Sequence, residues 1–257
     1  MISANSPSTA AWWPSLRGRP AAAVAGAPRA RLLVFPHSGA GPNILLPLVE
    51  ALPAHVEVLG LSLPGRERRF GETPGCRLDQ VLESVSDEVL VRDPLPTVVF
   101  GHSLGALLAT HAARLLGPQC RAAVVSGQMP GRSRRLAHAT TTDEDAVRLL
   151  RDNGGTPDWV MQDPAMLERV TQVLRADIAL SREAAVGFED VRIDAPLHVL
   201  GGTRDPLVPH EPLDGWAGHT TGACRVRRFD GDHFFLLAPE HRSEVTDVLR
   251  RALAGEG

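Results

Sequence analysis

The stretch from Thr97 to Ala109, Thr97-Val98-Val99-Phe100-Gly101-His102-Ser103-Leu104-Gly105-Ala106-Leu107-Leu108-Ala109, constrains the fold more than any other part of the chain. A β-branched apolar run stops at Gly101, and a helix-forming apolar run starts at Leu104. The join between them is a sharp strand–turn–helix with serine at its apex. Small neighbours are what such a turn tolerates, so glycine stands two residues to either side of Ser103. The turn raises the serine hydroxyl above a sheet and places a helix N-terminus beneath it, which favours a developing negative charge. Ser103 is therefore the candidate nucleophile.

The remaining sequence alternates in the same way. Strand-like runs at Arg31–Phe35, Val56–Leu61, Arg121–Ser126, Leu197–Leu200 and Cys224–Phe229 alternate with helical patterns. The helical patterns fall at Ile44–Leu52, Leu78–Val89, Leu104–Leu116, Glu211–Trp216 and a final stripe of Val245, Val248, Leu249, Ala252 and Leu253. This predicts an α/β fold, a mainly parallel central sheet with helices on both faces. Between Gly127 and Asp194 no strand-like run occurs, and Val170, Val173, Leu174 and Ile178 share one helical face. An insertion of that length in a parallel domain reads as a helical lid over about 127–194; an ordinary extra helical layer is the plain alternative. Residues 1–28, rich in Ser, Pro and Ala, read as a flexible arm that Trp12 and Trp13 pin to the surface of a single domain, 29–257.

Composition narrows the chemistry. All 27 basic residues among the 257 are arginine, so a P-loop lysine, a Schiff-base lysine and a Ser-Lys dyad are excluded, and the absence of tyrosine excludes a tyrosine base. A net charge of −3 leaves no basic excess for binding nucleic acid. Arg17 and Arg19 before an alanine-rich stretch faintly imitate a signal peptide, but that stretch is short, late and followed by further arginines. No segment approaches the ~20 apolar residues of a membrane span. Cys76, Cys120 and Cys224 are an odd, scattered set that reads as reduced thiols, with Cys120 packed in a strand. The expectation is a cytoplasmic monomer.

A serine hydroxyl needs a base, and the base needs an orienting acid. In this kind of sheet both follow the serine, acid first, in loops at the carboxyl ends of later strands. Asp205 fits the acid, after Gly201-Gly202-Thr203-Arg204 and before Pro206. His233 fits the base, after the tight Asp230-Gly231-Asp232 turn that ends the last strand. His37 and His102 fall near the site without standing where a base should, and His111 and His198 read as packing residues. The oxyanion hole takes two backbone N–H groups. Leu104 supplies one, and the loop Pro36-His37-Ser38-Gly39-Ala40-Gly41 the other, with Ser38 the first choice and His37 the second. Gly39-Ala40-Gly41 begins like a dinucleotide fingerprint, but the third glycine would fall at Ile44, and no acidic ribose ligand follows. Asp230-Gly231-Asp232-His233 lacks partner ligands for a metal. No cofactor and no metal are expected.

With these residues in place the chain resembles the type II thioesterases of polyketide and nonribosomal peptide biosynthesis, members of the α/β-hydrolase superfamily. The resemblance rests on Phe35-Pro36-His37-Ser38-Gly39-Ala40-Gly41, Leu63-Pro64-Gly65-Arg66-Glu67-Arg68-Arg69 and Gly101-His102-Ser103-Leu104-Gly105-Ala106. It continues through Leu174-Arg175-Ala176-Asp177, Gly201-Gly202-Thr203-Arg204-Asp205-Pro206 and Gly231-Asp232-His233-Phe234-Phe235-Leu236. The family's first loop more often reads His-Ala-Gly-Gly, a departure that touches the identity of the oxyanion donor. The resemblance implies hydrolysis of stalled or mis-primed acyl groups from the phosphopantetheine arm of an acyl or peptidyl carrier protein. Product release or acyl transfer in the same pathways is the enzymatic alternative, and a carrier-binding scaffold the non-enzymatic one. Arg66, Arg68 and Arg69, and Arg132, Arg134 and Arg135, are candidate clusters for docking an acidic carrier.

Overall fold

A computed structural model describes residues 11–17, 27–131, 142–152, 156–208 and 211–256. Strands β1 (Ala30–Phe35), β2 (Val56–Gly60), β3 (Thr97–His102), β4 (Cys120–Ser126), β5 (Leu197–Gly202) and β6 (Cys224–Phe229) form one sheet in the order β2-β1-β3-β4-β5-β6. Every neighbouring pair is parallel. Each strand-like run of the sequence is one of these strands. β3 and β5 each run two residues further than their apolar runs, because Gly101, His102, Gly201 and Gly202 still pair through the main chain. The helices are α1 (Leu78–Val85), α2 (Leu104–Leu116), α3 (Asp143–Asp152), α4 (Asp158–Gln162), α5 (Pro164–Ala184) and α6 (Pro239–Ala254).

Alternation along the central strands feeds two cores. Leu33, Phe35, Val99, Ala123 and Val125 pack on one face with α1 and α2, whose apolar character nearly all round suits a helix covered on both sides. Leu32, Val34, Val98, Phe100 and Val124 pack on the other with α6 and a helical turn at Leu46–Val49. That turn is shorter than the expected crossover helix Ile44–Leu52. A 3₁₀ turn at Pro42–Leu45 precedes it, and Pro47, lacking an amide proton, opens a new turn instead of extending the old one. The helical pattern ending at Val89 also changes pitch: α1 closes at Val85 and a π turn over Ser86–Leu90 brings Val89 into the core beside Val81 and Val85.

Both sheet edges are protected. β6 exposes Arg225, Arg227 and Arg228, charges that discourage a further strand from pairing. The outer edge of β2 is covered by residues 11–17, within the segment expected to be a flexible arm. Ser15 bridges Leu59 in antiparallel sense, Leu16 N–H donates to the Val58 carbonyl (3.0 Å), and Gly60 N–H donates to the Pro14 carbonyl (3.1 Å). Trp13 does more than pin a surface. It is 1% exposed, its ring meets Phe35 edge-on at 5.1 Å, and its Nε1–H donates to Ser84 Oγ (3.0 Å). Glu88 receives both the Trp12 and the Trp13 backbone N–H groups.

Between β4 and β5 the described residues contain α3, α4, α5 and a 3₁₀ turn at Phe188–Asp190, with no strand of the sheet. Asp163 caps α5 by accepting from the Ala165 and Met166 N–H groups, with Pro164 at the first helical position. Ala146, Leu174 and Ile178 form a small apolar cluster between α3 and α5, separate from the two cores. Among the described residues no helix is long and apolar enough to cross a membrane. Truncating Trp13 to alanine should cost about 3–5 kcal/mol in denaturant unfolding. A loss under about 1 kcal/mol would contradict its placement as a core residue.

Candidate active site

Ser103 joins β3 to α2 with φ 55° and ψ −120°, one of two non-glycine residues with positive φ among the described ones. Such a conformation costs about 1–3 kcal/mol and persists only where the surroundings enforce it. They do so here by contact. A methyl group at Gly101 would collide with the backbone of Gly105, and one at Gly105 would collide with the Phe35 carbonyl of β1. The glycines thus let α2 start directly against two strands. Ser103 N–H donates to the Ser126 carbonyl (2.8 Å), tying the turn to β4.

The structure brings the predicted partners together. Asp205 follows β5 and His233 follows β6, and His233 Nδ1 lies 2.7 Å from Asp205 Oδ2 with both side chains buried, at 4% and 1% exposure. A carboxylate only accepts, so Nδ1 carries the proton and Nε2 is the basic nitrogen. Asp205 Oδ1 accepts from the Leu207 and Val208 N–H groups (2.8 and 3.0 Å), which fixes the carboxylate in its own turn. Ser103, His233 and Ser38 line one cavity of about 760 Å³. Leu104 opens α2 beside Ser103, at a position whose N–H has no helical partner. In the loop after β1, Gly39 N–H donates to Asp177 Oδ2 (2.7 Å) and Ala40 N–H to the His37 carbonyl (3.1 Å), while Ser38 N–H has no hydrogen-bond partner among the described residues.

His37 and His102 stand near the site, as expected. The His102 ring lies 4.8 Å from His233 and 5.6 Å from His37, and Phe234 stacks edge-on against His37 and His233. Burial, then the neighbouring His233, then Arg66 push the His37 imidazole down to about 3, and burial with His233 and His37 holds His102 well below the usual range. Both remain neutral, so neither competes as a base and the stack adds no charge beside His233. His111 Nε2–H donates to the Ala184 carbonyl (2.8 Å) and its ring meets Phe188 edge-on, the packing role anticipated for it.

The cavity above Ser103 is roofed by the insertion: Leu149, Leu150, Val160, Val170, Leu174 and Ile178 face it. An apolar chamber over the candidate nucleophile suits an acyl chain. One docking cluster is corrected. Arg66 and Arg69 are each only 6% exposed, Arg66 paired with Asp177 and Arg69 with Glu72, because the loop turns both guanidinium groups inward; Arg68 alone of the three faces solvent. Arg132, Arg134 and Arg135 lie outside the described residues. Sequence reasoning missed Asp177 as a partner of the loop after β1; its only signal was membership of Leu174-Arg175-Ala176-Asp177.

A family model described as a thioesterase domain matches residues 30–253. The chain belongs to the thioesterase family. This thioesterase is 30% identical over 236 residues to the gramicidin S biosynthesis protein GrsT of Aneurinibacillus migulanus, covering 90% of this chain and 91% of that one. It is 34% identical over 227 residues to a probable cadicidin biosynthesis thioesterase of Streptomyces griseus, where it covers 87% of its own length and spans 62% of the relative's. Among solved structures it superposes on the type II thioesterase BorB from the borrelidin biosynthetic cluster with a TM-score of 0.76 and 28% identity, over 96% of this chain and all of that one. The thioesterase is therefore a type II enzyme of the α/β-hydrolase fold, of the kind found in polyketide and nonribosomal peptide pathways.

The neutral histidines set a pH dependence. Unfolded, these imidazoles take up a proton near pH 6.5; folded, His37 stays neutral down to about 3. Between those values the unfolded chain binds more protons, so stability rises with pH and is lost as pH falls through the window. The Tm should fall from pH 7 to pH 4, and His37→Gln should flatten that fall. An unchanged slope in the variant would contradict the assignment.

Proposed function

We propose that this thioesterase hydrolyses stalled or mis-primed acyl groups from the phosphopantetheine arm of acyl or peptidyl carrier proteins, through an acyl-enzyme on Ser103. The observation that carries the reading is the buried 2.7 Å contact of His233 Nδ1 with Asp205 Oδ2, in a residue that shares its cavity with a strained serine. His233 Nε2 takes the proton of Ser103 as the hydroxyl oxygen attacks the thioester carbonyl carbon. Asp205 keeps the imidazole in the required tautomer and stabilises the imidazolium. The Leu104 and Ser38 N–H groups receive the oxyanion; one such donor is worth about 10²–10³ in rate. Collapse of the tetrahedral adduct breaks the carbon–sulfur bond, and His233 returns the proton to the leaving thiol. A water molecule, deprotonated by His233, then attacks the acyl-serine and restores the free hydroxyl.

The substrate suits the site. A thiolate leaves readily, so little activation of the leaving group is needed, and the apolar roof from Leu149 to Ile178 offers the acyl chain a surface without demanding a fixed shape. The relatives in gramicidin S and cadicidin biosynthesis support a carrier-bound donor. The substrate brings its own phosphopantetheine, and the steps above call on no bound cofactor. Three unbonded cysteines fit a reducing cytoplasm, where such synthases would be met.

A panel of acyl-loaded carrier proteins, read by the mass of the carrier and of the released acid, tests the reading. Wild-type protein should return free-thiol carrier and carboxylic acid. Ser103→Ala should lower that rate by at least about a thousandfold and lose labelling by a fluorophosphonate. Turnover retained in Ser103→Ala would overturn the mechanism, and acyl transfer to an added thiol or amine in place of water would assign the alternative of acyl transfer.

A further inference from the structure

The loop after β1 is held mainly from outside itself. Its one internal backbone hydrogen bond joins Ala40 N–H to the His37 carbonyl (3.1 Å). Ile44 N–H donates to the Gly41 carbonyl (3.3 Å), the His37 ring packs against His102 and Phe234, and further hydrogen bonds arrive from two distant segments. Asp177 Oδ2, on α5 of the lid, accepts from Gly39 N–H at 2.7 Å. Arg66 Nη1 donates to the Ala40 carbonyl at 3.1 Å, and Glu67 Oε1 accepts from Asn43 N–H at 3.1 Å. Arg66 and Asp177 then meet each other: Nη1 donates to Oδ2 at 2.6 Å and Nη2 to Oδ1 at 2.7 Å.

The physical logic is directional. Asp177 is 2% exposed, and a carboxylate so buried needs a counter-charge and filled lone pairs. A two-pronged guanidinium contact fixes the carboxylate plane, and with it the direction of the lone pair that Gly39 N–H meets. Gly39 and Ala40 thereby spend their N–H groups on Asp177 and His37, and the neighbouring Ser38, which lines the cavity that Ser103 shares, keeps an N–H without a partner among the described residues. Asp177 and Arg66 line no part of that cavity, so they touch neither the acyl chain nor the reacting atoms.

We infer that Asp177 is a positioning residue that sets the oxyanion loop from the lid, with Arg66 as the counter-charge that holds its carboxylate in place. This rests on the reading of Ser103 as the acyl-accepting nucleophile. Seating of α5 and the geometry of the oxyanion loop are then one state. Moving α5 away from the sheet takes the acceptor from Gly39 and parts a buried ion pair, so stabilisation of the tetrahedral adduct accompanies a seated lid.

Three variants test this: Asp177→Ala, Asp177→Asn, and Arg66→Gln combined with Asp177→Asn. The paired variant is uncharged yet keeps an oxygen for Gly39 N–H. On a small soluble acyl thioester, Asp177→Ala should lower kcat per labelled Ser103 by about ten- to a hundredfold with KM within about twofold. Affinity for an alkyl boronic acid, which forms a tetrahedral adduct on the serine, should fall in parallel. A non-hydrolysable alkyl thioether analogue should bind as to wild type. Asp177→Asn should fall between, and the paired variant should recover most of the loss. The inference is overturned if Asp177→Ala keeps wild-type kcat and boronate affinity, if thioether and boronate affinities fall equally, or if the paired variant is no better than Asp177→Ala. Should Asp177→Ala not fold, the paired variant against Asp177→Asn gives the same comparison. Absence of thioester turnover in wild type would strike the proposed function alone, since the boronate comparison reads the loop without turnover.

Discussion

Ser103 sits at φ 55° because three strands and a helix meet there without room for another arrangement. β3 delivers the residue, β4 accepts its N–H through the Ser126 carbonyl, and β1 presses the Phe35 carbonyl against Gly105 at the start of α2. The close packing of this junction supplies the force that a strained residue needs. From it follow the hydroxyl above the sheet, the N–H of Leu104 beside it, and the position against which His233 and the loop after β1 are arranged. Both cores contribute, since the strands that clamp the turn are buried on both faces.

A second constraint reaches the site from the side. Glu67 is the other described non-glycine residue with positive φ, at 46°, and it lies in the segment that grips the loop after β1 through Arg66 and Glu67. Strain at both places converges on the pair of N–H groups proposed for the oxyanion. The helical insertion reaches this assembly through the buried carboxylate of Asp177, and Arg169 of the same helix donates to the Phe70 and Glu72 carbonyls. On the proposed reading, a roof over the apolar chamber that also holds the loop after β1 links substrate enclosure to chemistry.

The sheet was readable because five of its parallel strands are buried on both faces and so are largely apolar runs, while the edge strand β6 shows instead as Cys224, Val226 and Phe229 set among arginines. That Asp205 and His233 would lie close together was legible for a related reason: each comes a few residues after a strand, in loops at the same end of the sheet. What local pattern could not reveal depends on long separations. The Asp177 contact with Gly39 spans 138 residues and the Trp13 bond to Ser84 spans 71, and neither leaves a periodicity. Arg66 and Arg69 looked like solvated charges because a run of arginines gives no sign of which members turn inward. The breaks in pitch near Pro47 and Val85 were lost in otherwise helical spacing.

In the proposed mechanism Ser103 carries the acyl group during turnover, with His233 and Asp205 activating first the serine and then water. Rapid-quench intact-protein mass on wild-type protein mixed with an acyl-loaded carrier tests it most directly. A transient species heavier by one acyl group, mapped by peptide digestion to Ser103, should form as the carrier loses its acyl group and decay as acid appears. Acid released at full rate with no such species, when its hydrolysis has been slowed by low temperature, or an acyl group found on any other residue, would contradict it.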